Sequence, residues 1–158
     1  MQPKLDAVYS ELILDHYRHP VGRGLREPFT AEVHHVNPAC GDDLVLRVEL
    51  GEGPDPILRD ISYEGEGCSI SLASASMLAE LATGHPLSEF QERQQAFLHL
   101  MHGMGKVTPD EEVLGDAVAF AGVAQLPMRV KCALLSWMAV TDAVGQSLAA
   151  PVAGGDEA

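Results

Sequence analysis

The hydrophobic pattern of this chain changes its period twice along its length, and that change constrains the fold more than any other feature. Apolar residues recur at helical spacing over residues 5–17, as in an amphipathic helix. The central block then contains three strand-like segments, at residues 31–36, 44–50 and 57–63. The second alternates apolar and polar residues, as a strand with one buried face does. Because the connections between these segments are short, we expect an antiparallel meander.

Beyond Gly67 the pattern becomes helical again. The predicted helices cover residues 69–82, 87–104, 110–122 and 129–148. The acidic residues 110–112 lie at the start of the third predicted helix, where the helix dipole favours negative charge. Helix, strands and helices in separate blocks predict an α+β fold, with a small antiparallel three-stranded sheet packed against several helices. We expect one domain over residues 1–148 and a flexible, acidic tail at residues 149–158.

The charge of the chain is strongly acidic, with 10 Lys+Arg against 23 Asp+Glu and a formal net charge of −13. Such a surface repels phosphate backbones and anionic lipid, which argues against nucleic acid and membranes as partners. No stretch reaches the roughly 18 uninterrupted apolar residues that a membrane span requires, and the N-terminus lacks a signal-peptide pattern.

The chain contains three cysteines, an odd count that does not suit a secreted disulfide framework and indicates a reducing cytoplasm. Cys40 lies in a turn between two strands, and Cys68 directly precedes a helix. Cys132 is expected in the first turn of the last helix, where the dipole favours thiolate. Two of the few basic residues, Arg129 and Lys131, lie close to Cys132 and add to that effect.

The residues alone leave two interpretations of the cysteines open. Each thiol taken singly can be a small buried hydrophobic group. Together with the carboxylate of Asp42, the three thiols also form a complete four-ligand set, although spacing does not show that they converge. Two histidine pairs are weaker metal candidates. His34 and His35 are adjacent on a strand, so their side chains face opposite sides. His99 and His102 lie among apolar residues of a predicted helix.

Three segments make the sequence recognisable. They resemble the IscU-like (NifU N-terminal-like) family of iron–sulfur cluster assembly proteins: Asn37-Pro38-Ala39-Cys40-Gly41-Asp42, Gly65-Glu66-Gly67-Cys68-Ser69-Ile70-Ser71 and Arg129-Val130-Lys131-Cys132-Ala133-Leu134-Leu135-Ser136-Trp137. The resemblance extends from the first helix to about Leu148.

Within that family the chain is most similar to the SufU-type zinc-dependent sulfurtransferase and scaffold branch. Lys131 stands where housekeeping IscU proteins have a histidine, and an extra helical stretch at residues 86–108 precedes the last cysteine motif. Residues 126–130 also depart from the Leu-Pro-Pro-Val-Lys chaperone motif of the housekeeping branch.

The resemblance implies a function for these residues. Cys40, Asp42, Cys68 and Cys132 would form a tetrahedral zinc site, with Arg129 as its charge partner. Cys40 would accept persulfide sulfur from a cysteine desulfurase of the SufS type, which would make the protein a zinc-dependent sulfurtransferase. In a scaffold role the three cysteines would instead hold a transient 2Fe–2S cluster for downstream scaffolds or apo-proteins.

Two further hypotheses belong to other functional classes. A structural zinc-binding interaction module without sulfur chemistry is the main alternative, although Asp42 argues mildly against it because closed structural sites mostly use Cys and His. A thiol hydrolase with Cys132 as nucleophile ranks last, since Lys131 stands where a histidine base is expected.

Overall fold

The central residues form one antiparallel sheet, as predicted. In this computed structural model, which describes residues 3–149, the strand order is β1 (Ala31–Asn37), β2 (Asp42–Leu50) and β3 (Leu58–Glu66). Val33 pairs with Leu46, and Leu46 with Tyr63, so alternate apolar side chains share one buried face. The pairing of β2 with β3 has a register irregularity between Glu49 and Leu50, close to the first residue of β3.

Helices pack on this buried face and around it. They are α1 (Pro3–Arg18), α2 (Ser69–Ala82), α3 (Leu87–His102), α4 (Glu111–Leu114), a 3₁₀ helix (Gly115–Gln125) and α5 (Pro127–Ala149). The bounds of α2 match the prediction, and the predicted α+β class is confirmed. Of the segment predicted as a tail, only Ala149 is described, and it ends α5; residues 150–158 lie outside the described residues. Among the described residues, no helix is long and apolar enough to cross a membrane.

The type of the third predicted helix is wrong. One α-helix was expected over residues 110–122, but α4 has only 4 residues and an 11-residue 3₁₀ helix follows it. Asp110 caps α4 by accepting a hydrogen bond from the Glu112 amide, as its acidic start suggests. Gly115 then adopts a φ of +53°, which interrupts the α-helical path. The Ala-, Gly- and Val-rich segment beyond it buries several of its sides rather than a single stripe.

The last helix begins two residues earlier than predicted. Pro127 is its first residue and not a break before it, because proline lacks the N–H that the first helical turn leaves unpaired. Cys132 therefore lies in the second turn, fully buried, and not at an exposed helix start.

Hydrogen bonds and aromatic packing join α2 to α5. The Ser74 hydroxyl donates to the Ala133 carbonyl at 2.6 Å, and the Trp137 indole N–H donates to Ser74 Oγ at 3.0 Å. Trp137 is a core residue, as predicted, and stacks on Phe97 with ring centroids 4.3 Å apart. These buried contacts fix the N-terminal half of α5, which carries Cys132, against α2, whose N-cap residue is Cys68.

Candidate metal centre

Three of the four predicted ligands converge at one end of the sheet. The donor atoms of Cys40, Asp42 and Cys132 all lie within 4.8 Å of one another. The two sulfurs are 2.7 Å apart, although 92 residues separate them in the chain, and both cysteines are free thiols. The β1–β2 turn and α5 thus bring two thiols and a carboxylate to one point.

The β1–β2 turn places Cys40 and Asp42 two residues apart on a tight bend. The Cys40 amide donates to the Asn37 carbonyl at 3.2 Å, and Asn37 pairs with Asp42 across the strands. Gly41, between the two ligands, has a φ of +73°, a conformation that side chains disfavour. Glycine is therefore required for the bend that carries both donors.

Asp42 is buried, with only 1% of its surface exposed, and its carboxylate is held from one side. Oδ1 accepts hydrogen bonds from the Cys68 amide at 3.1 Å and from the Ser71 hydroxyl at 3.0 Å. Oδ2 has a weaker neighbour, Asn37 Nδ2 at 3.5 Å. Gly67 leaves room for this arrangement, since a Cβ there would lie 2.7 Å from Oδ1. Oδ2 is the oxygen with more capacity left for a cation.

Cys68, the fourth predicted ligand, lies beside this set but not within it. It forms the N-cap of α2, and its thiol lies 3.9 Å from Ser71 Oγ. The donor atoms of the other three residues all lie within 4.8 Å of one another, and the Cys68 sulfur does not lie within that distance of all of them. Its charge nevertheless acts on both Cys132 and Arg129.

The electrostatic state of Cys132 differs from the sequence expectation. Burial is the main reason that its pKa is raised, followed by hydrogen bonding with Cys40 and Cys68. The expected thiolate at a helix start is therefore wrong for the protein without a cation, because Cys132 lies in the second turn among other acidic groups. Bringing several acidic donors together disfavours their charged forms, and a bound divalent cation reverses that preference. Thiols with one buried carboxylate are a donor set that suits zinc.

Arg129 lies beside the thiols of the centre. Its side chain is exposed, and its pKa is raised chiefly by the negative charge of Cys68 and then by its hydrogen bond with Cys132. The nearby apolar side chains are also exposed: Met128 keeps 62% of its surface accessible and Leu126 keeps 52%. An open cleft of about 170 Å³ lies there, lined by Ala39, Pro127, Met128 and Lys131.

Two residues without a role predicted from the sequence contact the centre. Asn37 is nearly buried, and its Nδ2 lies 3.8 Å from Cys132 Sγ in addition to its contact with Asp42. Ser71 donates to Asp42, as described above. Both residues lie in the cysteine motifs, and their position three residues from a cysteine was the only available signal.

The histidines singled out from the sequence do not contribute to this centre. His34 pairs with Asp43 at 2.6 Å, and His35 pairs with Asp142 on α5 at 2.9 Å. Their different partners fit the expectation that adjacent strand residues face opposite sides. Neither His99 nor His102 belongs to a metal-capable cluster of the described residues.

Comparison with known proteins finds close relatives over most of the chain. The zinc-dependent sulfurtransferase SufU of Bacillus subtilis is 38% identical over 143 residues, covering 90% of this chain and 92% of that protein. The iron–sulfur cluster assembly scaffold protein IscU of Streptococcus pyogenes is 34% identical, covering 91% of this chain and 87% of that protein.

Solved structures agree with these matches. The crystal structure of a SUF-system scaffold protein from Fervidobacterium islandicum matches with a TM-score of 0.72 and 33% identity, covering 87% of this chain and 97% of that one. The N-terminal NifU-like protein of Brucella abortus has the same fold, with a TM-score of 0.78 at 21% identity, covering 90% of this chain and 96% of its own. The model of the NifU-like N-terminal domain matches residues 8–133. The chain therefore belongs to the NifU-like N-terminal domain family.

Proposed function

We propose that this protein acts in iron–sulfur cluster assembly by accepting sulfur from a SufS-type cysteine desulfurase at a zinc centre. The observation that carries the proposal is the convergence of Cys40, Asp42 and Cys132 within 4.8 Å. The relatives support it, since one is named as a zinc-dependent sulfurtransferase and another as a cluster assembly scaffold. We place the activity in the cytoplasm, where thiols stay reduced.

The residues that would hold zinc are Cys40, Asp42, Cys68 and Cys132. Cys68 completes the set from the N-cap of α2, where its amide already contacts Asp42. When bound, zinc keeps the cysteines as thiolates at neutral pH and lowers their reactivity until a partner arrives. The Ser71 hydroxyl and the Cys68 amide hydrogen-bond to Asp42 and orient it, and such partners tune the ligands of metal sites.

Cys40 is the better sulfur acceptor of the close pair. Cys132 has no exposed surface and lies on a helix, whereas Cys40 is partly exposed on a turn. The Cys40 thiolate attacks the terminal sulfur of the desulfurase persulfide and forms a new S–S bond. The S–S bond of that persulfide breaks, and the desulfurase cysteine leaves as a thiolate, so no external oxidant or reductant is needed.

Arg129 supplies the positive charge that this chemistry needs. Three thiolates and one carboxylate around a divalent ion carry a net charge of −2, and the persulfide product is also anionic. Arg129 lies where the thiols raise its pKa, so it stays protonated beside them. In a chain with a net charge of −13, this local cation favours the approach of an anionic persulfide to Cys40.

The exposed apolar rim beside the centre suits docking of the desulfurase. Met128 presents apolar surface in the cleft that it lines with Ala39 and Pro127, and the exposed Leu126 directly precedes Pro127 in the chain. A partner that covers this rim brings its own cysteine close to Cys40 and excludes water from the transfer. A closed structural zinc module has no need for a partly exposed ligand beside such a surface.

A scaffold role is the second candidate, and the IscU relative is the finding that favours it. In that role the three cysteines would hold a nascent 2Fe–2S cluster, because thiolates are its usual ligands. Apo-proteins would then receive the cluster. The two roles share the three cysteine ligands and differ in the cargo that is passed on.

The test compares alanine release by a SufS-type desulfurase with and without the purified zinc-loaded protein. We expect a several-fold stimulation by the unchanged protein and none by Cys40→Ser. Asp43→Asn is the matched control, because Asp43 is exposed and paired with His34. Equal stimulation by the unchanged protein and by Cys40→Ser would refute Cys40 as the acceptor.

A further inference from the structure

A second cluster of metal-capable side chains lies toward the other end of α2. It consists of His16 on α1, Glu80 on α2 and Asp116 on the 3₁₀ helix, with donor atoms all within 4.8 Å of one another. Glu80 lies 12 residues after Cys68, which is about 18 Å along a helix. The cluster is therefore separate from the cysteine centre.

Burial within the cluster is uneven. The His16 side chain is 6% exposed, whereas those of Glu80 and Asp116 are 55% and 43% exposed. The imidazole thus forms the floor of the cluster, and two carboxylates open it toward solvent. An ion bound there keeps access to water for its remaining coordination positions.

The His16 ring is oriented by a hydrogen bond on its other nitrogen. Nδ1 lies 2.7 Å from the hydroxyl oxygen of Ser76, which is fully buried and also accepts a hydrogen bond from the Val21 amide at 2.8 Å. This leaves Nε2 directed at the two carboxylates. Metal-binding histidines are typically held in this way through the nitrogen that does not bind the metal.

The charges of the cluster do not balance without a cation. A neutral imidazole carries no charge, and an imidazolium balances only one of the two carboxylates. Among the described residues, neither Glu80 nor Asp116 forms an ion pair with lysine or arginine. Two carboxylates this close repel each other, so a divalent ion between them is favoured.

The distances match a shared ion. His16 Nε2 lies 3.0 Å from Asp116 Oδ2 and 3.5 Å from Glu80 Oε1. Nitrogen and oxygen ligands about 2.1 Å from a metal are about 3.0 Å apart at a right angle and about 3.4 Å apart at the tetrahedral angle. The side chains therefore need little movement to bind an ion.

We infer that His16, Glu80 and Asp116 form a second divalent-metal site that binds a first-row transition ion through one nitrogen and two carboxylate donors. Such a donor set suits Mn²⁺ or Fe²⁺ and lacks the thiolates that select softer ions. The site joins α1 to α2 and to the 3₁₀ helix, so an ion there also fastens α1 to the domain.

Mn²⁺ is the sharpest probe, because its free aqueous form has a strong EPR signal that is lost on binding and it prefers oxygen and nitrogen ligands. The full chain is first loaded with one equivalent of zinc, which the thiolate centre takes up in preference, and is then titrated with Mn²⁺. We expect one Mn²⁺ site per chain, with affinity reduced at least tenfold by Glu80→Gln and by Asp116→Asn. Both carboxylates are about half exposed, so the variants should keep the fold, which circular dichroism checks.

Asp142→Asn is the matched control, because Asp142 also pairs with a histidine, at 2.9 Å, but belongs to no metal-capable cluster of the described residues. We expect it to leave the Mn²⁺ affinity unchanged. The inference is wrong if no Mn²⁺ binds, or if binding is the same in Glu80→Gln and Asp116→Asn as in the unchanged chain. Sulfur transfer is measured separately, so failure of this site and failure of the proposed function are distinguishable.

Discussion

The two ends of helix α2 hold donor clusters of opposite design. At the N-terminal end the buried group is a carboxylate, Asp42, which lies beside the thiols of Cys40 and Cys132. Toward the C-terminal end the buried group is the imidazole of His16, and the carboxylates face solvent. Burying an anion beside other acids is costly without a cation, whereas burying a neutral imidazole is not. The cysteine centre should therefore depend on its metal more strongly.

The largest predicted effect is at Cys132. Cys132→Ser removes a thiolate ligand from the buried side of the cysteine centre. We expect zinc affinity to fall by more than about 100-fold, which is the largest loss expected when only a hydrogen-bond partner of a ligand is removed. Competition with a chromogenic chelator measures this loss, and Mn²⁺ binding at the His16 cluster should not change. Retention of stoichiometric zinc by the variant would show that the centre does not use Cys132.

A smaller loss is expected from Asp42→Asn, which keeps the size of the side chain and removes its charge. We expect about a 100-fold weaker zinc affinity, because a neutral amide oxygen is a poorer ligand than a carboxylate. The neighbouring Asp43→Asn serves as control, since Asp43 is exposed and pairs with His34. Similar zinc affinities in the two variants would contradict the assignment of Asp42 as a ligand.

The orienting hydrogen bond of Ser71 provides a finer comparison. Ser71→Ala removes the hydroxyl that donates to Asp42 Oδ1 at 3.0 Å. We expect about a tenfold loss of zinc affinity, the smaller of the losses expected when a hydrogen-bond partner of a ligand is removed. Ser71→Thr keeps the hydroxyl and should restore most of the affinity. If alanine and threonine have the same effect, packing and not the hydrogen bond is responsible.

The smallest predicted effect concerns the His16 cluster without metal. Asp116→Asn weakens a partly exposed pair with His16 that is 3.0 Å long. We expect the free energy of unfolding to fall by about 0.5–1 kcal/mol in the presence of a chelator. Urea titration measures this change, and added Mn²⁺ should widen the difference from the unchanged protein. A difference that Mn²⁺ does not alter would indicate an ion pair alone.

Local patterns predicted most of the fold. The alternation in β2 and the composition of α2 determine those elements directly, so the sheet and α2 were predicted closely. The prediction of the third helix was wrong because the positive φ of Gly115 is a backbone state that helical periodicity does not reveal. The predicted start of α5 was wrong because a proline such as Pro127 can end one helix or begin another, and the sequence pattern does not distinguish the two.

The candidate site required more than local patterns. Family resemblance identified Cys40, Asp42, Cys68 and Cys132, whereas their spacing alone left convergence open. The raised pKa of Cys132 depends on burial and on neighbours from distant segments, which no motif contains. The His16 cluster joins three separate elements and has no spacing pattern of its own, so only the tertiary structure shows it.

The most direct test of the central claim is to locate the transferred sulfur after a single turnover. The zinc-loaded protein is mixed with a persulfide-charged SufS-type desulfurase, the persulfides are trapped by alkylation, and the peptides are mapped by mass spectrometry. We predict the added sulfur on Cys40, with Cys68 and Cys132 unmodified. Sulfur on Cys68 or Cys132 with Cys40 unmodified, or no sulfur on the protein, would contradict the account.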